Sequence, residues 1–188
     1  INLSTKITLR NLNYNYSEIH LVIKGNQASQ YLVKSEFNFT PSEVYINGVL
    51  DTSCNKICNL REDRNNVTLR FNDSIDSCYE MFDALHNIIE VDLSDFDATK
   101  VTSMYRMFRS CSGIEKITFG NMDTSSVENM RTLFYGCRSL TSINLSNFNT
   151  SKVNSMRNMF QGCSNLKHLD LSNFDTSSLT DVNHMFQE

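Results

Sequence analysis

Residues 140–163 read LTSINLSNFNTSKVNSMRNMFQGC, and this stretch decides the predicted fold. Its first half places apolar side chains at Leu140, Ile143 and Leu145, which is the L-x-x-L-x-L spacing of a leucine-rich-repeat strand. Its second half, 153–163, has apolar residues at i, i+3, i+6, i+7 and i+10, which is the spacing of one helical face. The stretch therefore predicts one strand followed by one short helix.

The same unit recurs along the chain with a period of 26 residues. A single unit cannot bury its own apolar side, so successive units are expected to stack and to share one core. Three sets of residues recur at this 26-residue step. The first is a phenylalanine column: Phe82, Phe108, Phe134, Phe160 and Phe186. The other two are a thiol column, Cys111, Cys137 and Cys163, and an aromatic spine, Phe96, Met122, Phe148 and Phe174.

These columns predict the fold class and the domain division. The fold class is α/β: a leucine-rich-repeat solenoid with one strand and one short helix per 26-residue coil and a β-rich N-terminal cap. Residues 66–188 form about 4–5 coils, the last of them incomplete. Ser125 with Glu128 is predicted to cap one helix. Ser178 with Asp181 is predicted to cap another. The aromatic spine is expected to replace, by packing, the hydrogen-bonding Asn ladder of many leucine-rich repeats.

The repeat is absent from residues 1–65, where short alternating segments occur instead. Segments such as Ile19–Ile23 and Val44–Ile46 alternate as strands do, and turn signals such as Asn47-Gly48 separate them. We therefore predict a β-rich N-terminal capping region that covers the open end of the stack. A separate ligand-binding domain is the alternative.

Composition bounds the classes of function. A chain of 188 residues with 40% hydrophobic and 20% charged residues is typical of a folded domain. The net charge is −4 without a cluster of Lys and Arg, which argues against a nucleic-acid partner. No apolar run of about 18 residues is present, so no membrane-spanning segment is expected. No catalytic or metal-binding pattern is recognisable, so we expect no enzymatic activity, no metal and no cofactor.

The six cysteines divide into three groups. Cys54 and Cys58 lie in a polar loop and are predicted to form a disulfide in a secreted chain. Cys78 falls in a column of methionines and is predicted to be buried, with a bond to Cys54 or Cys58 as the alternative. The thiol column is predicted to be core packing, because a 26-residue spacing supplies one thiol per unit and not the closely spaced ligands that zinc requires.

Seven N-x-[ST] sequons are candidates for N-glycosylation and favour a secreted glycoprotein. The chain starts at Ile1 and not at a methionine, which indicates either removal of a signal peptide or a fragment of a longer chain. The candidate asparagines are Asn2, Asn15, Asn38, Asn66, Asn72, Asn144 and Asn149.

The segments LSNFDTSSL, 171–179, and MRNMFQGCSNL, 156–166, carry a resemblance to a known family. They closely resemble the BspA-like leucine-rich repeats, the 26-residue repeats of bacterial and protist surface proteins, and the likeness extends over roughly residues 67–188. The resemblance implies an extracellular or membrane-attached protein that functions in adhesion, in host or matrix binding, or in self-association. The family pattern carries no catalytic residues.

Two surfaces are candidates for binding. The first is the concave sheet face, small, polar and mixed in charge, which is either a solvated face or a shallow site for a protein or a glycan. If Asn144 carries a glycan, that glycan obstructs the face. Its candidate residues are Glu90, Asp92, Lys116, Thr118, Ser142, Asn144, His168 and Asp170.

The second surface is the end of the stack. The sequence stops in mid-unit after Met185 and Phe186, and Ile1-Asn-Leu-Ser4 repeats the strand tetrapeptide Ile143-Asn-Leu-Ser146. Either the chain is a fragment of a longer array, or Ile1 and Leu3 of one copy complete the last coil of another copy and build a filament. The sequence thus predicts a surface or secreted interaction protein, with a self-assembling structural glycoprotein as the alternative.

Overall fold

The computed structural model describes residues 16–25 and 28–187, and these residues form strands and turns but no α-helix. Eight strands are present in this part of the chain. They are β1 (Ser17–Lys24), β2 (Ser29–Tyr31), β3 (Glu43–Ile46), β4 (Val49–Leu50), β5 (Ile57–Asn59), β6 (Arg64–Phe71), β7 (Ile88–Asp92) and β8 (Lys116–Thr118). The fold is therefore all-β.

Six of the strands form one mixed sheet in the order β4-β3-β6-β1-β7-β8, and β2 and β5 form a second, two-stranded sheet. Neighbours in the large sheet are antiparallel except β7 and β8, which are parallel. Because side chains alternate along a strand, Ile19, Leu21 and Ile23 of β1 all enter the core. The hairpin between β3 and β4 turns at Asn47 and Gly48, whose φ angles of 51° and 83° suit a two-residue hairpin turn.

The N-terminal segment joins the repeats through β1. This strand pairs with β6 on one side and with β7, the first strand of the repeat region, on the other. The edge of β7 is therefore covered by a paired strand and not left open. Residue 65, the predicted boundary between cap and repeats, lies inside β6.

The predicted α/β leucine-rich-repeat solenoid is wrong. The segments with helical spacing are successive turns, and the strands among the described residues after 65 are the remainder of β6, β7 and β8. Arg106, Thr132 and Asn158 have φ of 59°, 52° and 58°, in the left-handed region that interrupts a right-handed helix. The Ser125–Glu128 and Ser178–Asp181 pairs consequently cap no helix.

The acceptors of the backbone N–H groups explain why these segments are not helical. Phe108 N donates to Leu133 O at 3.0 Å, and Phe134 N donates to Met159 O at 2.9 Å. These two N–H groups bond to the following unit, and a neighbouring one, Met107 N, bonds to Met104 O three residues back. An α-helix requires each N–H to bond four residues back in its own segment. Isolated parallel bridges continue the pattern at 26-residue steps through Ser77, Ser103, Asn129, Ser155 and Asp181.

The core of the stacked units is built on a phenylalanine column. Phe82, Phe108, Phe134, Phe160 and Phe186 stack in sequence, with neighbouring ring centroids 5.4, 5.8, 5.4 and 5.9 Å apart. The inner rings are buried, and the last ring, Phe186, is 61% exposed. This core is continuous with that of the N-terminal sheet.

Candidate functional site

The polar face of the large sheet brings the first predicted binding residues together. Glu90 lies opposite Lys116, and Asp92 lies opposite Thr118, across the parallel pair β7 and β8. Arg64 on β6 forms an ion pair with Glu90. A groove of about 310 Å³ runs over this part of the face, and His20, Asn66 and Thr68 contribute to it from the N-terminal strands. The N-terminal segment therefore enlarges the face that the sequence assigned to the repeats.

A cleft of about 340 Å³ lies beside β8, at the next unit of the stack. Ile117, Phe119, Ile143 and Phe148 line its apolar floor, while Lys116, Ser142 and Asn144 are exposed around it. No backbone hydrogen bond joins 115–119 to 141–145, although both segments lie within the described chain. The free edge of β8 leaves main-chain hydrogen-bonding groups available there, as on any unpaired strand edge.

The two other predicted face residues, His168 and Asp170, are exposed in the following unit. Ser142 forms an isolated parallel bridge with His168, so the backbone is paired again at this step. Asp170 accepts a hydrogen bond from Ser172 N at 2.9 Å, and this bond, with one from the Ser172 hydroxyl, lowers the pKa of Asp170 below its usual range. Asn144 likewise accepts from Ser146 N at 3.0 Å. Both side chains therefore shape local turns as well as facing solvent.

The cysteines occupy two chemically different environments. Cys54 and Cys58 are joined by a disulfide, and Cys78 is buried and free. The alternative bonds of Cys78 to Cys54 or Cys58 are not formed.

The thiol column lies inside the stack. The Sγ atoms of Cys111, Cys137 and Cys163 donate to the carbonyls of Phe82, Phe108 and Phe134 at 2.9, 3.2 and 3.0 Å. Burial raises the pKa of Cys111 to about 12 and that of Cys163 to about 11, and it raises the pKa of Cys137 well above its usual value. Protonated thiols are poor nucleophiles and poor metal ligands, so the column packs and bonds between units.

An asparagine column beside the aromatic spine was missed by the sequence reasoning. The spine residues Phe96, Met122 and Phe148 are buried, and Phe174 is half-buried. Asn147 Nδ2 donates to Gly120 O at 3.0 Å, in the preceding unit. Asn173 Nδ2 donates in the same way to Ser146 O, at 3.1 Å. The expectation that packing replaces an Asn ladder is therefore wrong. The 26-residue repetition of Asn121, Asn147 and Asn173 was the signal.

A second missed feature lies on the turns. Tyr79, Tyr105, Arg131 and Arg157 follow one another at 26-residue steps, and we call them the Tyr–Arg column. The Tyr79 and Tyr105 ring centroids are 5.4 Å apart. The guanidinium of Arg131 lies over the Tyr105 ring, 5.7 Å from its centroid. Cationic and aromatic side chains are thus stacked along the outside of the repeats.

Comparison with known families identifies the repeats. The model of the family described as "Mycoplasma protein of unknown function, DUF285" matches residues 64–118 and 113–188. The chain belongs to this family. The match starts with β6 and covers every stacked unit described above, so β1 to β5 lie before the DUF285 region. No curated protein and no solved structure matches the chain.

Four of the predicted glycosylation residues belong to the DUF285 region and are exposed: Asn66, Asn72, Asn144 and Asn149. Asn38, which precedes this region, is exposed as well. Asn2 and Asn15 lie outside the described residues, as do Ile1 and Leu3. Exposure makes the five described asparagines accessible to a glycosylating enzyme.

Two further properties concern metals and membranes. Glu18, His20 and Asp95 place one ligand atom each within 4.8 Å of one another. Arg70 already occupies the Glu18 carboxylate, at 2.6 Å, and competes with a metal ion for it. Among residues 16–25 and 28–187, no helix has the length and apolar character needed to cross a membrane.

Proposed function

We propose that this DUF285 chain is a non-enzymatic, extracellular or cell-surface protein that mediates protein interaction or adhesion. The proposal also holds that the family likeness extends to the BspA-like surface proteins, whose repeats the segments 156–166 and 171–179 resemble. Exposed asparagines in sequons and the Cys54–Cys58 disulfide support a location outside the cytosol.

The observation that carries the proposal is the presentation of exposed polar side chains in fixed rows. Lys116, Ser142 and His168 occupy the same position in three successive units and are all exposed. Lys116 is held by its pairing with Glu90, and Ser142 is held by its bridge to His168, so the backbone positions that carry this row are fixed before a partner arrives. Preordered groups lose less conformational entropy on binding than mobile ones do. A rigid polar face of this kind suits recognition of another macromolecule.

An adhesion assay tests the proposal. We expect the purified chain to bind saturably to epithelial cell layers or to wells coated with extracellular matrix protein. Lys116→Glu and His168→Glu should weaken this binding, because they reverse or add charge on the polar face. Lys152→Glu, at an exposed turn position outside that row, is the matched control. Absence of saturable binding, or equal weakening by all three substitutions, contradicts the proposal.

A second candidate function is head-to-tail assembly into a filament. The observation that favours it is an exposed aromatic ring: Phe186 stacks on Phe160, with ring centroids 5.9 Å apart, and is 61% exposed. A cleft of about 430 Å³ beside it is lined by Leu166, Leu169 and Leu171. The proposed occupant is a second copy, through the Ile1-Asn-Leu-Ser4 copy of the repeat tetrapeptide.

Sedimentation velocity with negative-stain microscopy tests the filament. We expect long particles from the wild-type chain at high concentration. We expect short ones from Phe186→Ser and from a variant lacking residues 1–4. Monodisperse short particles from the wild type at every concentration reject this candidate.

A further inference from the structure

The Tyr–Arg column is held in place by the same bonds that stack the units. Glu80 N donates to Tyr105 O at 3.0 Å, Arg106 N to Arg131 O at 3.2 Å, and Thr132 N to Arg157 O at 2.9 Å. Tyr105, Arg131 and Arg157 are therefore each bonded through the carbonyl to the unit before. The side chains form an ordered row about 4.8 Å per step, the spacing of neighbouring strands.

The arginines beside the first units of the column are ion-paired, whereas the two arginines of the column itself are not. Arg106 pairs with Glu80 at 2.8 Å, and Arg109 pairs with Asp83 through two bonds. Arg131 and Arg157, one and two units further on, form no ion pair with any carboxylate of the described chain. The Nε atom of Arg131 is buried without a hydrogen-bond partner, as is that of Arg106, and the Nε atom of Arg157 donates to Asn158 Oδ1 at 3.2 Å.

Two guanidinium groups in successive units without a carboxylate repel one another, because like charges on adjacent steps are unfavourable. An anion placed against both relieves that repulsion. The whole chain is acidic, with a net charge of −4, so this local cationic site does not follow from the overall composition.

We propose that the Tyr–Arg column binds an acidic, extended segment of a protein partner. The proposal rests on the proposed function and names the partner's chemistry. Arg131 and Arg157 supply planar forks that bind carboxylates in pairs of hydrogen bonds. Tyr105, which lies against Arg131, and Tyr79, which packs on Tyr105 and is 42% exposed, continue the column as an aromatic surface. Tyrosine and arginine are the residue types that contribute most at protein interfaces.

The dimensions also fit an extended peptide. Side chains on one side of an extended chain lie about 6.8 Å apart, and two long arginines rooted about 4.8 Å apart reach that separation by spreading. A nucleic acid or a sulfated polysaccharide would use many more cations along its length than these two. We therefore favour carboxylates of a protein segment.

Fluorescence anisotropy with a defined probe tests the site. The probe is a fluorescein-labelled decapeptide of alternating Glu and Gly, titrated with the full chain at low salt. Arg131→Gln with Arg157→Gln should weaken binding about tenfold, the loss expected for charge-assisted hydrogen bonds. Lys100→Gln with Lys152→Gln removes the same charge from two exposed turn positions and should change binding less than about twofold.

Two further measurements complete the test. Arg131→Lys with Arg157→Lys keeps the charge but loses the forks, so binding should be intermediate. A circular dichroism melt of each variant separates lost binding from lost folding. No binding of the peptide by wild type, equal loss in the glutamine pairs, or tighter binding of heparin or single-stranded DNA overturns the proposal. Saturable adhesion by wild type in that case leaves the proposed function intact, so the two failures are distinguishable.

Discussion

Replacing Phe134 by alanine removes the central ring of the phenylalanine column. The ring is fully buried and stacks between Phe108 and Phe160, with centroids 5.8 and 5.4 Å away. Loss of a buried Phe side chain costs about 3–5 kcal/mol, and each stacked pair adds about 0.5–1.5 kcal/mol. We expect the free energy of unfolding to fall by about 4 kcal/mol or more, a large part of the stability of an ordinary domain.

Urea denaturation followed by circular dichroism measures this change, and Phe186→Ala is the matched control. Phe186 has one stacking partner and is mostly exposed, so its loss should cost about 1 kcal/mol or less. Equal effects of the two substitutions would refute the reasoning, because the stacking account requires the inner ring to contribute much more than the outer one.

Three other substitutions probe the stack. Gly120 has a φ of 58°, and a Cβ there would lie 2.8 Å from Ser94 Cα, so Gly120→Ala should lower the free energy of unfolding by at least about 2 kcal/mol, measured by thermal melting. Gly48 also has a left-handed φ, of 83°, but has open space around it, so Gly48→Ala should lower it by about 1 kcal/mol. Asn147→Ala should cost about 1 kcal/mol, since it removes the Nδ2 bonds between units, and an unchanged melt would argue against the ladder. Burial raises the pKa of Cys111 to about 12, so the folded state should lose stability as pH rises from about 8.5, where the unfolded thiol ionises, towards 12. Below pH about 8.5 the Cys111 contribution is fully present, and Cys111→Val should show a flatter decline at alkaline pH than wild type does.

The period and the buried columns could be predicted from the sequence because apolar side chains mark them directly. Phe134, Met130 and Leu140 repeat the positions of earlier units and are buried. The DUF285 match follows the same register from residue 64 onward. Side-chain burial can therefore be predicted from the spacing, because the same position of each unit carries an apolar residue.

Helix and turn could not be told apart in this way. The spacing of Val153, Met156 and Met159 places one apolar side inward whether the backbone bonds within its segment or to the next unit. The difference lies in residues such as Thr132 and Asn158, whose left-handed φ is held by bonds between units. No local preference of threonine predicts that conformation.

The positions of the candidate surface residues could be predicted in part. Reasoning from a concave sheet selected Glu90 to Asp170, and the structure places these residues on or beside the polar face. The contribution of His20 and Asn66 to that face depends on the pairing of β1 with β7. This pairing could not be predicted, because β1 lies outside the repeats. The Tyr–Arg column was overlooked because it lies on turns, where a helix had been expected.

Surface accessibility on intact cells tests the central claim most directly. Cells that produce the chain are treated with a protease that does not enter them, and the chain is then followed with an antibody. We expect the protein to be degraded or released without lysis, because an adhesive surface must face the outside. Protection of the chain until the cells are lysed would contradict the account.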